Sequence, residues 1–280
     1  MREITCQAVT QAVRDLCIRA NVDLPEDLRE RLRQAQAQEV SPVGRNILQD
    51  IVDNFTLAGE RGLPICQDTG MAVLFVDLGQ EVCITGGDLE EAVNLGVAQG
   101  YTQGFLRKSV VRDPLRRVNT EDNTPAVLHL RLVPGDRLTI TAAPKGFGSE
   151  NMTALHMLRP TAAPQEVVEA IVRTVERAGS NPCPPVLVGV GLGGTAEKAL
   201  ELSKRALLRQ AGAPNPDPFY AELEKQALEK INRLGIGPQG LGGSVTALGV
   251  AIEPWPTHIA GLPCGVSIGC HVTRHASVVL

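Results

Sequence analysis

A thiol held between prolines, directly before an apolar run, is the feature that most constrains how this chain folds. Cys183 lies in Asn181-Pro-Cys-Pro-Pro185, which leads into Val186-Leu-Val-Gly-Val190. Pro184 biases Cys183 away from helical dihedral angles, and neither flanking proline has an N–H, so the turn cannot merge into the strand that the apolar run predicts. A rigid thiol at the end of an element is typical of a ligand.

The composition is that of a globular chain with mixed helices and sheets. The 280 residues carry a net charge of -4, and only 3% are aromatic. The core must therefore be built from Val, Leu, Ile and Ala, which suits helices packed on sheets. No basic patch argues for nucleic acid, and no segment approaches the roughly 18 consecutive apolar residues of a membrane helix. Residues 1–6 show no apolar signal region, so we expect a cytoplasmic protein.

Hydrophobic periodicity predicts an α+β fold that begins with helices. Helices at about 7–20, 25–38 and 42–60 would form a helical lead-in over residues 1–62 of a single domain that covers 1–280. Further helices are expected at about 88–105, 150–158, 164–178, 195–209 and 217–233, and strands at 71–77, 186–192, 245–252 and 263–269. The segment 126–143 is predicted to form two strands joined by a hairpin turn at 133–136.

Three of the seven cysteines lie in loops rich in Gly or Pro, namely Cys66, Cys183 and Cys270. Iron–sulfur clusters are bound by thiolates, and three thiolates on a four-iron cluster would leave one iron open to a substrate oxygen. The three are far apart in sequence and match no short CxxC spacing, so burial as a small apolar residue stays the alternative for each one. The remaining cysteines are expected in the core or on the surface, although Pro263-Cys264-Gly265 also has the composition of a turn.

Two alternatives of other classes remain open from the residues alone. Gly189-Val-Gly-Leu-Gly-Gly194 fits G-x-G-x-x-G, which would indicate an NAD-binding dehydrogenase. The chain reads as a helix end and a loop at 207–214, where that fold would place an acidic residue at a strand end. We expect instead that these glycines let the backbone approach a cluster or substrate, with Thr195 capping the next helix. A structural zinc or thiol-redox protein would need short cysteine pairs, which are absent.

Five segments together resemble the class I, iron–sulfur-dependent fumarate hydratases along nearly the whole chain. They are residues 65–70, 145–151, 181–191, 232–243 and 267–275. The chain is similar to the alpha subunit of the two-subunit form, whose relative is the alpha subunit of L-tartrate dehydratase. The resemblance implies a [4Fe-4S] cluster on Cys66, Cys183 and Cys270. It also implies reversible hydration of fumarate to L-malate in the tricarboxylic acid cycle, a separate beta subunit and an alpha2-beta2 assembly, with L-tartrate as the alternative substrate.

The resemblance also implies roles for residues beside the cysteines. Gln67 would contact a substrate carboxylate, and Asp68 would move a proton together with His258. A lone Asp in a glycine-rich turn is otherwise more often a capping residue. Arg107 would grip a carboxylate, a task that suits its planar guanidinium. Gly146 would offer its backbone to the substrate, in a loop where Phe147 replaces one glycine of the family's usual run.

Four further side chains carry no catalytic assignment. Arg274 and His275 follow Cys270 and would support the cluster through hydrogen bonds, or simply satisfy carbonyl groups. His129 is expected in an alternating strand, and His156 on the helix predicted at about 150–158. Both histidines are expected on the surface or in the core.

Overall fold

The computed structural model describes residues 1–280, which form two compact units with separate hydrophobic cores. The first unit comprises Met1–Pro25, Phe55–Phe147 and Arg274–Leu280. The second comprises Glu26–Asn54 and Gly148–Thr273. The expectation of one domain over residues 1–280 stays a prediction.

The chain contains runs of helices and runs of strands, and both four-stranded sheets mix parallel and antiparallel pairs, which confirms the α+β prediction. The helices are α1 (Cys6–Val22), α2 (Glu26–Gln38), α3 (Pro42–Arg61), α4 (Leu89–Gln103), α5 (Phe147–Glu150), α6 (Pro164–Ala178), α7 (Ala196–Ala206) and α8 (Pro218–Asn232). The strands are β1 (Arg2–Thr5), β2 (Val73–Gly79), β3 (Val82–Thr85), β4 (Val127–Val133), β5 (Leu138–Ala142), β6 (Ala154–Leu158), β7 (Val186–Gly193), β8 (Ala247–Trp255), β9 (Leu262–Gly269) and β10 (Ala276–Val279). None of the helices combines the length and apolar character needed to cross a membrane.

The helical lead-in has the three predicted helices; an N-cap explains where α1 begins, and acidic residues explain where α2 begins. Thr5 is the N-cap of α1, and its hydroxyl accepts a hydrogen bond from the Ala8 N–H at 3.2 Å. Helix α2 opens with Glu26 and Asp27, whose negative charges favour the positive end of a helix dipole. The short strand β1, which the periodicity did not predict, precedes α1 and pairs in parallel with β3.

The main sheet of the first unit has the strand order β10-β5-β2-β4. Strand β2 pairs in parallel with β4 and antiparallel with β5. The predicted hairpin over 126–143 is therefore wrong, because β2 lies between its two strands. The turn crosses the end of β2, where the Gln80 N–H donates to Val133 O at 2.9 Å and the Glu81 N–H donates to Gly135 O at 3.0 Å.

Helices α1 and α4 contribute to the core of this unit and pack closely on each other through two glycines. A Cβ on Gly96 would lie 2.7 Å from Thr10 O, and one on Gly100 would lie 2.9 Å from Arg14 O. Larger residues at these positions would push the helices apart. Asp88 is the N-cap of α4 as predicted, and its carboxylate accepts from the Glu91 N–H at 2.9 Å.

The sheet of the second unit has the order β6-β9-β7-β8, in which β7 and β8 are parallel and β9 runs antiparallel to β6 and β7. The helix predicted at about 150–158 is wrong, because most of that segment forms β6. His156 consequently lies on a strand, where its Nε2 is 2.8 Å from the Thr174 hydroxyl. Burial, together with the nearby cations Arg173 and Arg177, lowers the pKa of His156.

The glycines of the G-x-G-x-x-G segment let a helix lie close to a strand. Gly189 and Gly191 are inside β7, and a Cβ on Gly191 would lie 2.0 Å from Ala199 O of α7. A Cβ at either position would meet α7 or Leu207, the residue that follows α7. Thr195 is at the N-cap of α7, but its hydroxyl bonds to the Glu197 carboxylate at 2.7 Å instead of capping the helix.

Candidate active site

The Cys66 loop, residues 62–72 of the first unit, joins α3 to β2. Cys66 is half-buried and Gln67 is exposed, while Ile65 is buried and donates its N–H to Asn21 O at 2.9 Å. At the other end, Gly70 has φ +76° and crosses the backbone of Lys145, where an added Cβ would lie 2.7 Å from a backbone atom. The loop is thus anchored on both sides of Cys66, and its crossing point requires glycine.

Asp68 connects the Cys66 loop to the glycine loop that begins at Lys145. One carboxylate oxygen accepts from the Gly70 N–H at 3.0 Å, and the other accepts from the Phe147 N–H at 2.9 Å. A Cβ on Gly146 would lie 3.1 Å from the second oxygen. Asp68 therefore caps a turn, the alternative named from the sequence, and at the same time brings Gly146 against the Cys66 loop.

Two buried side chains hold the backbone carbonyls of the same loop. The Tyr101 hydroxyl lies 2.9 Å from both Thr69 O and Gly70 O, and burial raises the pKa of Tyr101, so the hydroxyl remains a proton donor. Arg274, which is 4% exposed, donates to Asp68 O at 2.5 Å. The structure thus gives Arg274 a contact beside Asp68, and it identifies Tyr101, for which the sequence carried no motif.

The segment that carries Arg107 is tied to the Cys66 loop at two points. Arg107 itself is exposed, and its carbonyl accepts from the Thr69 hydroxyl at 3.1 Å. Asn123 is fully buried; its amide N–H donates to Gly70 O at 3.2 Å, and its amide oxygen accepts from the Ser109 N–H at 2.7 Å. Sequence reasoning missed Asn123 because no spacing links it to either segment.

In the second unit, the turn at Cys183 is fixed by its neighbours. Cys183 is exposed and has φ +55°, a left-handed conformation that the flanking prolines did not specify. Its carbonyl lies 2.9 Å from Nδ1 of His271. The next carbonyl, that of Pro184, accepts from both the backbone N–H and the side-chain amide of Gln239, at 2.8 and 2.9 Å. The thiol therefore projects from a turn with little freedom to move.

Cys270 lies at the same end of the second unit's sheet as Cys183. Leu187, near the start of β7, pairs with Gly269, the last residue of the antiparallel strand β9. Cys183 shortly precedes β7 and Cys270 directly follows β9, so both turns leave the sheet at one end. The Cys270 carbonyl accepts from the backbone N–H and hydroxyl of Thr273, at 2.9 and 2.7 Å.

His258 lies at the opposite end of that sheet. It follows β8, whose last residue Trp255 pairs with Gly193 at the far end of β7. Strands of this length place the two ends roughly 25 Å apart, at about 3.3 Å per residue. His258 is exposed, and its Nδ1 accepts from the Ala260 N–H at 3.2 Å. The second unit therefore does not bring His258 to Cys183 or Cys270, and its catalytic role stays a prediction.

Burial separates the three loop cysteines from Cys6, Cys17 and Cys264 as potential thiolate ligands, whereas Cys83, which is also half-buried, lies within β3. Cys17 and Cys264 are 0% exposed, and burial raises the pKa of each thiol to about 12. Cys264 lies inside β9 and belongs to the core, so its resemblance to a turn cysteine does not make it a ligand. Cys66 and Cys270 are half-buried, Cys183 is exposed, and none of the seven cysteines forms a disulfide.

These three thiols fit the donor chemistry of an iron–sulfur cluster, since thiolates are its usual ligands. Cys66 belongs to the first unit, and Cys183 and Cys270 belong to the second. The structure has no group of three or more His, Cys, Asp or Glu side chains arranged to hold a metal ion.

Comparison with known proteins identifies the family of this α+β enzyme. The family model described as fumarate hydratase (Fumerase) matches residues 10–279. A protein of Methanocaldococcus jannaschii named putative L(+)-tartrate dehydratase subunit alpha is 40% identical over 274 residues, which are 96% of each chain. The L(+)-tartrate dehydratase subunit alpha of Escherichia coli O157:H7 is 33% identical over 276 residues, covering 97% of this chain and 90% of the relative.

The chain therefore belongs to the fumarate hydratase family, and it is a hydro-lyase. This assignment confirms the resemblance drawn from the five motif segments. Membership of this family argues against the dehydrogenase and thiol-redox alternatives, because the reaction of a hydro-lyase is the addition or removal of water.

Proposed function

We propose that this chain is the alpha subunit of an iron–sulfur fumarate hydratase, which adds water to fumarate to give L-malate and catalyses the reverse reaction. One carbon of the double bond gains the hydroxyl group, and the other gains a proton. The chain must therefore bind two carboxylates, hold an oxygen in place and move a proton at carbon.

The observation that carries the proposal is the contact of Asp68 with Phe147 and Gly146. Two segments that resemble fumarate hydratases, 65–70 and 145–151, meet at one carboxylate, whose oxygens accept from the N–H groups of Gly70 and Phe147. The same loop carries Cys66 and Gln67 and is tied to the segment of Arg107. One connected set of loops in the first unit thus carries the Cys66 thiol. The same loops carry Gln67, Arg107 and Gly146, the residues implied to contact the substrate.

Cys66, Cys183 and Cys270 would hold a [4Fe-4S] cluster. When bound, such a cluster supplies an electrophile for the hydroxyl oxygen of the substrate. The three thiols suit this task because they are the motif cysteines that are neither fully buried nor part of a core. Cys264 stays in the core and takes no part.

The remaining residues would bind and orient the substrate. Gln67 and Arg107 are both exposed, and we assign them to the two carboxylates, with Arg107 able to make two parallel hydrogen bonds. Gly146 allows close approach of the backbone. Asp68 would take part in moving the proton at carbon, and His258 remains its proposed partner from the resemblance alone.

L(+)-tartrate dehydration is the second candidate. Both relatives described above carry that name, and one of them is 40% identical to this chain. Tartrate has hydroxyl groups on both central carbons, whereas malate has one, so the two substrates place different demands on the loop at 145–151. We favour fumarate because Lys145-Gly-Phe-Gly-Ser-Glu-Asn151 and Cys270-His-Val-Thr-Arg-His275 resemble the fumarate hydratase versions of these loops.

A separate beta subunit would complete the enzyme, in an alpha2-beta2 assembly. The relatives are named as alpha subunits, which supports this part of the proposal. Gln67 and Arg107, assigned to the substrate carboxylates, lie exposed on this chain, and a second chain that covers them would exclude water from the substrate. A cytoplasmic location and a place in the tricarboxylic acid cycle remain predictions from the sequence.

Anaerobic reconstitution of this chain with its candidate beta subunit tests the proposal. Loss of fumarate absorbance would be followed in parallel with turnover of L(+)-tartrate, and each chain would also be assayed alone. We expect fumarate turnover that requires both chains and is lost in air. Tartrate turnover without fumarate turnover would establish the second candidate, and turnover of neither by the iron-loaded complex would overturn both.

A further inference from the structure

We propose that Asn123 is the positioning residue that sets the placement of Arg107 relative to the Cys66 loop. The inference rests on the proposed function, in which Arg107 binds a substrate carboxylate and the Cys66 loop carries Gln67 and Asp68. No motif pointed to Asn123, and its side-chain hydrogen bonds are to Ser109, Val110 and Gly70, none of which is assigned to the substrate.

The hydrogen bonds of Asn123 use both ends of its side-chain amide. The amide oxygen accepts from the N–H groups of Ser109 and Val110, at 2.7 and 3.2 Å, immediately after the segment that contains Arg107. The amide N–H donates to Gly70 O at 3.2 Å, at the end of the Cys66 loop. One planar group therefore fixes the separation between the two segments, and its 0% exposure keeps water from competing.

The backbone at Asn123 also favours this residue type. Asn123 has φ +65°, a left-handed conformation that asparagine tolerates better than most residues. Aspartate is the closest residue in shape, but an ionised aspartate is only an acceptor. It would retain the bonds from Ser109 and Val110 while placing an oxygen opposite Gly70 O. The substitution Asn123→Asp thus breaks the link to the Cys66 loop selectively.

A second link joins the same segments and predicts partial redundancy. The Thr69 hydroxyl donates to Arg107 O at 3.1 Å, so Thr69→Val removes this bond with little change in shape. With both links removed, Arg107 would be held near the loop less directly, through Leu106, whose N–H donates to Tyr101 O at 3.0 Å, and through the Tyr101 hydroxyl that contacts the loop. We expect the double variant Thr69→Val/Asn123→Asp to raise KM by more than the product of the two separate fold-changes.

The test compares steady-state kinetics of the reconstituted complex for the single and double variants at positions 69, 107 and 123 and for one control. Asn123→Asp should raise KM roughly tenfold with a smaller change in kcat, because misplacement of a carboxylate-binding group weakens substrate binding. In an Arg107→Ala background it should raise KM no further, since its effect passes through Arg107. Thr10→Val is the matched control: it removes another buried hydrogen bond to a carbonyl of the first unit, to Ala92 O at 3.0 Å, and should leave KM unchanged.

Hydrogen exchange of the chain without iron gives a second, activity-independent readout. Asn123→Gly keeps the positive φ without strain and should speed exchange at the amides of Ser109 and Val110. A KM within twofold of wild type, or an equal rise of KM in the Arg107→Ala background, would overturn the inference. If the wild-type complex turns over neither substrate, the proposed function fails, and unchanged exchange at Ser109 and Val110 would then overturn the link independently.

Discussion

At the residue scale, burial distinguishes Cys264 from Cys270 as a ligand of the proposed cluster. Cys264 and Cys270 are six positions apart and both lie near turns in sequence, yet Cys264 is 0% exposed with a pKa raised to about 12, and Cys270 follows the strand half-buried. Cys264→Ala should therefore keep the iron content of the anaerobically reconstituted chain. Cys270→Ser should lower it substantially, because a serine oxygen is a poorer iron ligand than a thiolate. Iron and sulfide assays on both variants check this.

Circular dichroism melts of the same variants provide the control. Cys264→Ala shortens a core side chain and should lower thermal stability modestly, whereas Cys270→Ser should leave the fold of the iron-free chain intact. Loss of iron from Cys264→Ala in a folded chain would contradict the assignment of ligands.

The sequence predicts the residues that carry motifs but not those that position them. Cys66, Asp68 and Gly146 were identified because they lie in segments resembling a family. Arg274 also lies in one of these segments, but the sequence did not give its partner, the carbonyl of Asp68. Tyr101 and Asn123 lie outside the segments and bond to carbonyls of the Cys66 loop from positions that are distant in sequence. Such contacts depend on how α4 and the C-terminal segment pack, and no local pattern encodes them.

At the scale of elements, the close approach of α7 to β7 is tested by a single methyl group. In Gly191→Ala the new Cβ would lie 2.0 Å from Ala199 O and 2.7 Å from the Leu202 side chain, so the helix would have to move. We expect the free energy of unfolding to fall by about 3 kcal/mol. Gly261→Ala, with open space around its Cβ, should change it by less than about 0.5 kcal/mol. Urea denaturation measures both, and equal effects would contradict the packing account.

Glu39 predicts how the loop before β8 responds to acid. Its carboxylate, 1% exposed, accepts from the N–H groups of Ser41, Ser244 and Val245 at 2.8 to 2.9 Å. Burial alone would raise the pKa of Glu39, but these hydrogen bonds outweigh it and hold the pKa below its ordinary value. A lowered folded-state pKa stabilises the fold above the unfolded value of about 4.3, and this stabilisation is lost as the pH falls further.

Glu39→Gln should therefore lower the unfolding free energy at pH 7 by about 1–3 kcal/mol, because glutamine cannot accept with both side-chain atoms. The acid-induced loss of stability below about pH 4.3 should also become less steep. Glu30→Gln, on the exposed side of α2, is the matched control and should change neither. Thermal melts from pH 7 to pH 3 distinguish the two variants, and parallel curves for wild type and Glu39→Gln would refute the prediction.

Two elements show why local patterns mislead about sheets. Turn composition at 133–136 correctly indicated a reversal, but composition cannot tell whether the joined strands are neighbours, and here β2 lies between them. The segment 150–158 is short and apolar, a case in which helix and strand periodicities overlap. The segment forms a strand because it pairs with β9, from Ala154 opposite Val266 to Leu158 opposite Leu262. Strands are specified by partners distant in sequence, whereas the helices of the lead-in were predicted from their own periodicity.

At the scale of the whole molecule, the two separate cores predict that stability is lost locally. Leu74 of β2 and Ile252 of β8 are both 0% exposed, and each belongs to a different core. Truncation to alanine should cost about 2–5 kcal/mol in either case. Because the cores share no residue, Leu74→Ala should speed hydrogen exchange mainly in β2, β5 and α1, and Ile252→Ala mainly in β7, β8 and α8. If each substitution instead sped exchange equally in both units, the chain would open as one cooperative body, as the single domain predicted over residues 1–280 would.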